Sequence, residues 1–441
     1  IILVLPLSRL PGLLGVPLPG YFAFMLLFVG FSLLVPSFLV YMGNTLSPLL
    51  RRFAGVTAYL AARYVRDSGT RTAVSVGALI TAVALFASLV IMIHSFRRTV
   101  EIWTYQTISG DLFLTPKLNE INQFRQPLSP PVAAWFQTLD SEIEIVPNRR
   151  YFLRYDKFPY EFEALDLDVF LKYADFFWMK GEPDKIRSHL GRGEGVIISE
   201  VFSNRTGLTV GDTFKARIET SLVELPVLGV VRDYRTQGGV VFYSLRHFKA
   251  RYHDPRWSGL RVYFRDRNQD LDRAVADLRK KIVERWGGDL DMISGEDLRA
   301  SILRVFDETF AVTTLLLLIA LVIAALGIAT TLTVLVLERS RQLNTLFAIG
   351  ADFGQIRSMI FWEAAFIVVA GELAGIVCGF ILSYLLVYVI NRQSFGWTFL
   401  YGVDWGALGM SLPLIILTAL AAALPAIKMV FRQPPATLLR E

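Results

Sequence analysis

The amino-acid sequence predicts a polytopic α-helical membrane protein with a large α/β extracytoplasmic domain inserted between membrane helices. Three observations carry that prediction. Of 441 residues, 53% are hydrophobic and 19% charged, against roughly 45–50% and about 25% in soluble domains. Five segments reach the roughly 20 apolar residues that a bilayer crossing requires, at 21–42, 72–93, 312–337, 360–390 and 408–427. Residues 95–308 contain no such segment and have the composition of a folded soluble domain. Disorder, collagen and a disulfide scaffold are excluded, and Cys378, the single cysteine, cannot close an internal disulfide.

Taken in order, residues 1–45 read as the tail of one membrane helix followed by a connector span. The chain starts at Ile1 inside an apolar run and is expected to be part of something longer. In 46–71, Leu49, Phe53, Val56, Leu60 and Tyr64 recur at spacings of four and three, with Arg52, Arg63 and Arg66 on the adjoining face. A helix lying on the inner membrane surface needs that division. The span at 72–94 is expected to continue outwards through residues 94–103 as a stalk.

Within 95–308, a buried strand is predicted at 195–199, a turn at 207–212, and strands at 223–231 and 240–243 separated by Gly238-Gly239. A strand at 259–264 precedes an amphipathic helix over 271–286, carried by Leu271, Val275, Leu278 and Ile282, and a short strand follows at 290–293. Such alternation predicts an α/β domain. Gly295-Glu296-Asp297 reads as a helix start, and Leu298, Ile302, Val305 and Phe306 carry it towards the span at 309–337 as a second stalk. An inside loop at 338–358 leads to a span at 359–391, too long to cross straight and so expected to tilt, kink or project. The last span lies at 408–427 and the tail at 428–441.

Charge sets the orientation. Arg51, Arg52, Arg63, Arg66, Arg71, Arg339, Arg341, Arg357, Lys428, Arg432 and Arg440 fall in one set of loops; only Arg9 and Arg392 fall in the opposite short loops. The positive-inside rule places the first set and the C-terminus in the cytoplasm, with the large domain outside. Topology therefore accounts for most of the net charge of +6, and nucleic acid is not an expected partner.

No Gly-x4-Gly-Lys-Ser/Thr, His-Glu-x-x-His or Gly-x-Ser-x-Gly sequence occurs, so neither a phosphate cradle, a metal centre nor a catalytic nucleophile is expected in this chain. Gly371, Gly375 and Gly379 strip one helix face for close approach of another helix, internal or from a second subunit. Glu363 and Glu372, nine residues apart, point to opposite faces. Glu363 sits where snorkelling would account for it, whereas Glu372, deeper, is the intramembrane functional candidate. At Glu338, Arg339, Arg341 and Gln342 a polar cluster precedes Leu343, Leu346, Phe347 and Ile349, which suits either a protein-docking surface or a connecting helix on lipid.

Several segments together resemble the FtsX-like permeases of ABC transporters, the group with MacB-like periplasmic core domains. They are Glu338-Arg-Ser-Arg-Gln-Leu-Asn-Thr-Leu-Phe-Ala-Ile-Gly-Ala351, Gln433-Pro-Pro-Ala-Thr-Leu-Leu-Arg-Glu441, Val196-Ile-Ile-Ser-Glu200 with Gly207-Leu-Thr-Val-Gly-Asp212, and Val227-Leu-Gly-Val-Val-Arg-Asp-Tyr234. The resemblance implies the second half of a larger two-unit permease of a bacterial inner membrane. Its partners would be an ABC ATPase subunit that binds the ATP, membrane lipid, a second permease unit (the other half of the chain or a second copy) and an envelope partner of the outer domain. It also implies that Glu338, Arg339, Arg341, Leu343 and Leu346 contact the ATPase. Substrates of lipoprotein, lipid or peptide type would be exported or extracted without catalysis by this chain. A membrane-anchored sensor or scaffold is the alternative.

Overall fold

The computed structural model describes residues 3–410 except 13–15, 68, 120, 125, 140, 157, 219–220, 269 and 339, together with 413 and 417. The chain divides into two units. One comprises Ile1–Phe96, Glu308–Ser394 and Phe399–Glu441; the other comprises Arg97–Asp307 with Phe395–Thr398.

In the first unit three helices among the described residues are long and apolar enough to cross a membrane: Leu18–Phe53, Val76–Thr107 and Phe353–Phe395. The helix Leu18–Phe53 runs well past residue 42 and takes in the start of the region expected to form one surface helix. Gly55, at φ +86°, follows that helix and opens a second, Gly55–Asp67. Glycine reaches this left-handed conformation without a Cβ penalty, so 46–71 is two helices rather than one. The second helix buries Ala58, Ala61, Ala62 and Val65, and leaves Val56 and Leu60 exposed.

The helix Phe353–Leu385 starts earlier than the expected 359 and passes through a π-helical turn, Leu386–Ile390, into Asn391–Phe395. Residues 72–94 belong to the continuous helix Gly69–Thr107, and 309–337 to the continuous helix Gly295–Glu338. The last expected span and the tail lie outside the described residues beyond 410, apart from 413 and 417.

The second unit is built on a ten-stranded sheet. Its strands are β1 (Leu112–Pro116), β2 (Ile143–Tyr155), β3 (Phe158–Leu165), β4 (Phe177–Lys180), β5 (Val196–Ser199), β6 (Thr213–Ile218), β7 (Ser221–Arg232), β8 (Val240–Ser244), β9 (Gly259–Phe264) and β10 (Leu290–Ser294). They lie in the order β10-β1-β9-β2-β3-β8-β5-β7-β4, with β6 paired to β7. The pairs β3/β8 and β5/β7 are parallel and the others antiparallel. Up to Pro226, β7 pairs with β6, and from Val227 onwards with β5. A residue without an N–H suits such a change of partner.

Apolar side chains fill both faces. Tyr160, Phe162, Val196, Ile198, Phe202 and Phe214 pack in one cluster, and Leu165, Ile197, Val240 and Phe242 in another. The continuous apolar runs of β5 and β8 reflect this double burial. The helix Leu271–Trp286 buries Val275, Leu278 and Ile282 against β1 and β9.

Candidate functional site

Where the chain enters and leaves the sheet, backbone meets backbone. The first strand β1 and the last strand β10 are antiparallel neighbours, with Leu112 opposite Ser294. Immediately outside that pair, a Cβ on Gly295 would lie 1.8 Å from the carbonyl oxygen of Gly110, so only glycine fits at 295. The Gly295 N–H donates to the Asp111 carbonyl at 3.1 Å, and Arg299 Nη1 to the Ile108 carbonyl at 2.7 Å. Farther out, Arg97 Nε and Nη2 donate to the Asp307 carboxylate at 2.9 and 3.4 Å. This exposed pair is worth at most about 1 kcal/mol, so the inner glycine joint contributes most of the bracing.

A second construction holds the segment Phe395–Thr398, which belongs to the outer unit. Glu200, the first residue of the helix Glu200–Thr206 after β5, accepts the Thr398 N–H at 3.1 Å and the Thr398 hydroxyl at 2.7 Å. Asn204 Nδ2 donates to the Gly396 carbonyl at 2.7 Å and the Tyr234 hydroxyl to the Thr398 carbonyl at 3.0 Å. Trp397 and Trp103 both pack edge-on against the Tyr234 ring, at 5.5 and 5.6 Å. Burial, and then Glu200, push the Tyr234 phenol far above its ordinary range, so it donates at every working pH.

The neighbours of Tyr234 anchor this clasp in a buried ionic network. Arg235 Nη1 donates to Glu163 at 2.8 Å; Arg150 and Asn148 reach the same carboxylate at 3.2 and 2.7 Å. Burial alone would raise the Glu163 pKa, but Arg150, Arg235 and Arg261 outweigh it and hold the carboxyl far below its usual range. Its neighbour on the same strand face, Glu161, is shifted upwards, by burial first and with Glu163 adding to it. Asp254 is a second depressed carboxyl: hydrogen bonds from Arg256, Tyr151 and Arg149 overcome its burial.

In the membrane unit the glycine face lies against the helix Gly69–Thr107. A Cβ on Gly371 would meet Leu79 Cδ2 at 2.4 Å, one on Gly375 would meet Val83 Cβ at 2.6 Å, and one on Gly379 would meet Ala87 Cβ at 2.7 Å. The partner of this stripe is therefore internal. Glu372 is 1% exposed and Glu363 is 0% exposed, so protein encloses Glu363 and snorkelling does not describe it. Both faces of this helix are covered, which lets carboxylates 180° apart be buried together.

The inside loop folds as the helix Ser340–Ala348, a turn with Gly350 at φ +106°, and the capped start of Phe353–Leu385. Leu343 is 1% exposed; it packs with Ala61, Ile356, Met359 and Ile360, and Leu346 lies half-buried beside them. Glu338 is exposed, whereas Arg339 and the side chain of Arg341 lie outside the described residues. Leu343 thus holds the loop helix in place, and the apolar side chains presented outwards are Ile349 and Phe353, 77% and 52% exposed. Periodicity points to Leu343 because it marks an apolar face without telling what covers it. Glu200 and Tyr234 end two of the segments that carry the resemblance, but nothing in the sequence joins them to Asn204 or Thr398.

Residues 314–435 match the FtsX-like permease C-terminal family. An uncharacterised ABC transporter permease protein of Mycobacterium tuberculosis is 26% identical over 432 residues, covering 94% of this chain and 49% of its own length. The macrolide export ATP-binding/permease protein MacB of Paracoccus denitrificans is 29% identical over 245 residues, 52% of this chain and 33% of its own. The periplasmic region of MacB from Actinobacillus actinomycetemcomitans aligns with 45% of this chain and 94% of its own at 11% identity and a TM-score of 0.33. The chain spans about half the length of the first of these relatives and a third of the second. The chain therefore carries an FtsX-like permease C-terminal domain over residues 314–435 and is homologous to ABC transporter permeases.

Proposed function

We propose that this chain is the membrane permease subunit of an ABC transporter that converts ATP hydrolysis on a separate ATPase into movement of an extracytoplasmic domain. The observation that carries the reading is the inside loop: a short helix pinned by Leu343 on one side offers Ile349 and Phe353 on the other. Exposed apolar anchors beside polar residues suit a protein partner. The ATPase contact, expected from sequence at Glu338, Arg339, Arg341, Leu343 and Leu346, is then centred on Ile349 and Phe353, with Leu343 in support.

Motion of the loop would pass along the helices Gly69–Thr107 and Gly295–Glu338 to the glycine joint at Gly110 and Gly295. The clasp would hold the segment Phe395–Thr398 to the sheet of the second unit. The outer domain would then work on lipoprotein, lipid or peptide-type substrates, with the chain in an inner membrane, its large domain outside and its C-terminus inside. Catalysis would belong to the ATPase, and a second permease unit would complete the assembly.

Co-purification with candidate ABC ATPases in detergent tests the reading. The native protein is expected to retain one, and a variant carrying Ile349→Asp and Phe353→Asp to lose it while keeping its thermal midpoint. If the double variant retains the ATPase, the loop surface is wrongly assigned. If no ATPase is retained by the native protein, the sensor or scaffold reading replaces the permease one.

A further inference from the structure

At the junction of the helices Leu18–Phe53 and Gly55–Asp67, two cations converge on one aromatic ring. The guanidinium carbons of Arg51 and Arg63 each lie 5.6 Å from the centroid of Tyr59, and Arg63 Nη1 donates to the Tyr59 hydroxyl at 2.8 Å. Arg52 is exposed next to them. None of these three arginines forms an ion pair with a carboxylate among the described residues. Arg66 differs: it pairs with Asp67 at 2.7 Å and donates to Asn44 at 3.1 Å. The helix dipole accounts for cations in the last turn of Leu18–Phe53, where Arg51 and Arg52 sit, but not for Arg63, which reaches the same ring from the next helix.

Around this cluster the protein leaves apolar side chains uncovered: Leu49, Phe53, Val56 and Leu60 are 51%, 78%, 62% and 38% exposed. A soluble anion needs no such surround. A phospholipid does, because its phosphate and its acyl chains require both kinds of surface side by side. The helix that carries Arg51 is itself apolar enough to cross a bilayer, which sets its charged end at headgroup depth.

We infer that Arg51 and Arg63, oriented by Tyr59 and carried on the same two helices as the exposed Leu49, Phe53, Val56 and Leu60, bind the headgroup phosphate of an anionic phospholipid. Two like charges held on one ring repel each other, and a bound phosphate between them removes that cost. The proposal does not depend on the transport reading, although Ala61 of the same helix packs against Leu343 of the inside loop. It also revises the sequence-based assignment: Arg66 is engaged within the protein, and Arg51 takes its place.

The full chain in a neutral detergent provides the test, with thermal midpoints read while phosphatidylglycerol, phosphatidylcholine or soluble glycerol phosphate is added. Phosphatidylglycerol is expected to raise the midpoint, and the other two to leave it in place. A variant carrying Arg51→Gln and Arg63→Gln should need on the order of thirtyfold more phosphatidylglycerol for the same rise, and Arg66→Gln should respond as the native protein does. An equal rise with phosphatidylcholine overturns the headgroup assignment, and a rise with glycerol phosphate alone overturns the lipid one. A native-like response from the double variant, or an equal loss in Arg66→Gln, overturns the choice of residues.

Discussion

Replacing Gly375 by alanine sets two effects of known sign against each other. Removing glycine from a helix interior stabilises by up to about 1 kcal/mol through chain entropy. Against that, the new Cβ would sit 2.6 Å from Val83 Cβ and 3.2 Å from the Ile80 carbonyl oxygen, atoms fixed to the opposing backbone. Restoring ordinary contact separates the helices by about 1 Å, a gap that forfeits a quarter to a half of each dispersion well along the seam. Overpacking of this kind costs about 1–3 kcal/mol, so a net loss is expected. Gly379→Ala should behave alike, since Ala87 Cβ cannot rotate away, whereas Gly371→Ala meets only Leu79, whose Cδ2 at 2.4 Å and Cγ at 3.0 Å belong to a side chain that can turn, and should cost less. Gly327, where an added methyl would have nothing within 4 Å, is the control and should gain. The assay is built in: Cys378, the single cysteine, is buried beside Gly379. A thiol-reactive fluorogenic dye during heating therefore reports when the seam opens. Should Gly375→Ala raise the midpoint as much as Gly327→Ala, the close approach argued here is wrong.

Three further outcomes follow from the outer unit. Gly295→Ala drives a methyl onto the Gly110 carbonyl and should destabilise the outer unit by about 1–3 kcal/mol, read by thermal unfolding, while Gly288→Ala, in open space, should not. Glu200→Ala removes both acceptors of Thr398 and should speed amide exchange in a peptide spanning 395–398, leaving peptides of the inside loop unchanged. Asp254→Asn should cost on the order of 3 kcal/mol at neutral pH by uncoupling Arg149, Arg256 and Tyr151. The folded-state pKa of Asp254 is depressed, so its contribution is present above the unfolded value of about 3.9 and is lost as pH falls below it. Native and variant midpoints should therefore begin to converge below about pH 4 and go on converging as the pH falls further, and parallel curves would contradict the assignment.

The two units differ in how much of them could be read from sequence. Membrane crossings depend on local apolar length, and three of those expected are long apolar helices among the described residues. Strands β5 and β7 to β10 were legible from apolar runs bounded by turn residues, whereas β1 to β4 and β6 were not. In β2 the run Pro147-Asn148-Arg149-Arg150 interrupts any alternation, and β3 buries Glu161 and Glu163 in the middle of its apolar residues. Those carboxylates are tolerable only because Arg150, Arg235 and Arg261 arrive from other strands and loops, as much as 98 residues away in the case of Arg261 with Glu163. A window along the chain sees charge where the fold sees a neutralised cluster. In the inside loop the ambiguity is complementary: Leu343 and Ile349 are equally apolar, and only tertiary structure tells that Ala61, Ile356 and Met359 cover the first.

What the joints share explains why they carry little sequence signal and why they are stiff. At Gly110 and Gly295 the contact is backbone on backbone. At the glycine seam it is a helix backbone against Val83 and Ala87, and at the clasp it is the Thr398 N–H and carbonyl that Glu200 and Tyr234 hold. Long side chains yield by rotating, as an exposed pair such as Arg97 and Asp307 can at a cost of about 1 kcal/mol. A main chain pressed against a main chain yields only by moving its whole element, because close-packed interiors transmit strain rather than absorb it. The residues that permit such contact are glycines and small side chains, which carry no chemical signature. Substitutions that add volume at these joints should therefore lower the thermal midpoint more than loss of any surface ion pair along the same helices.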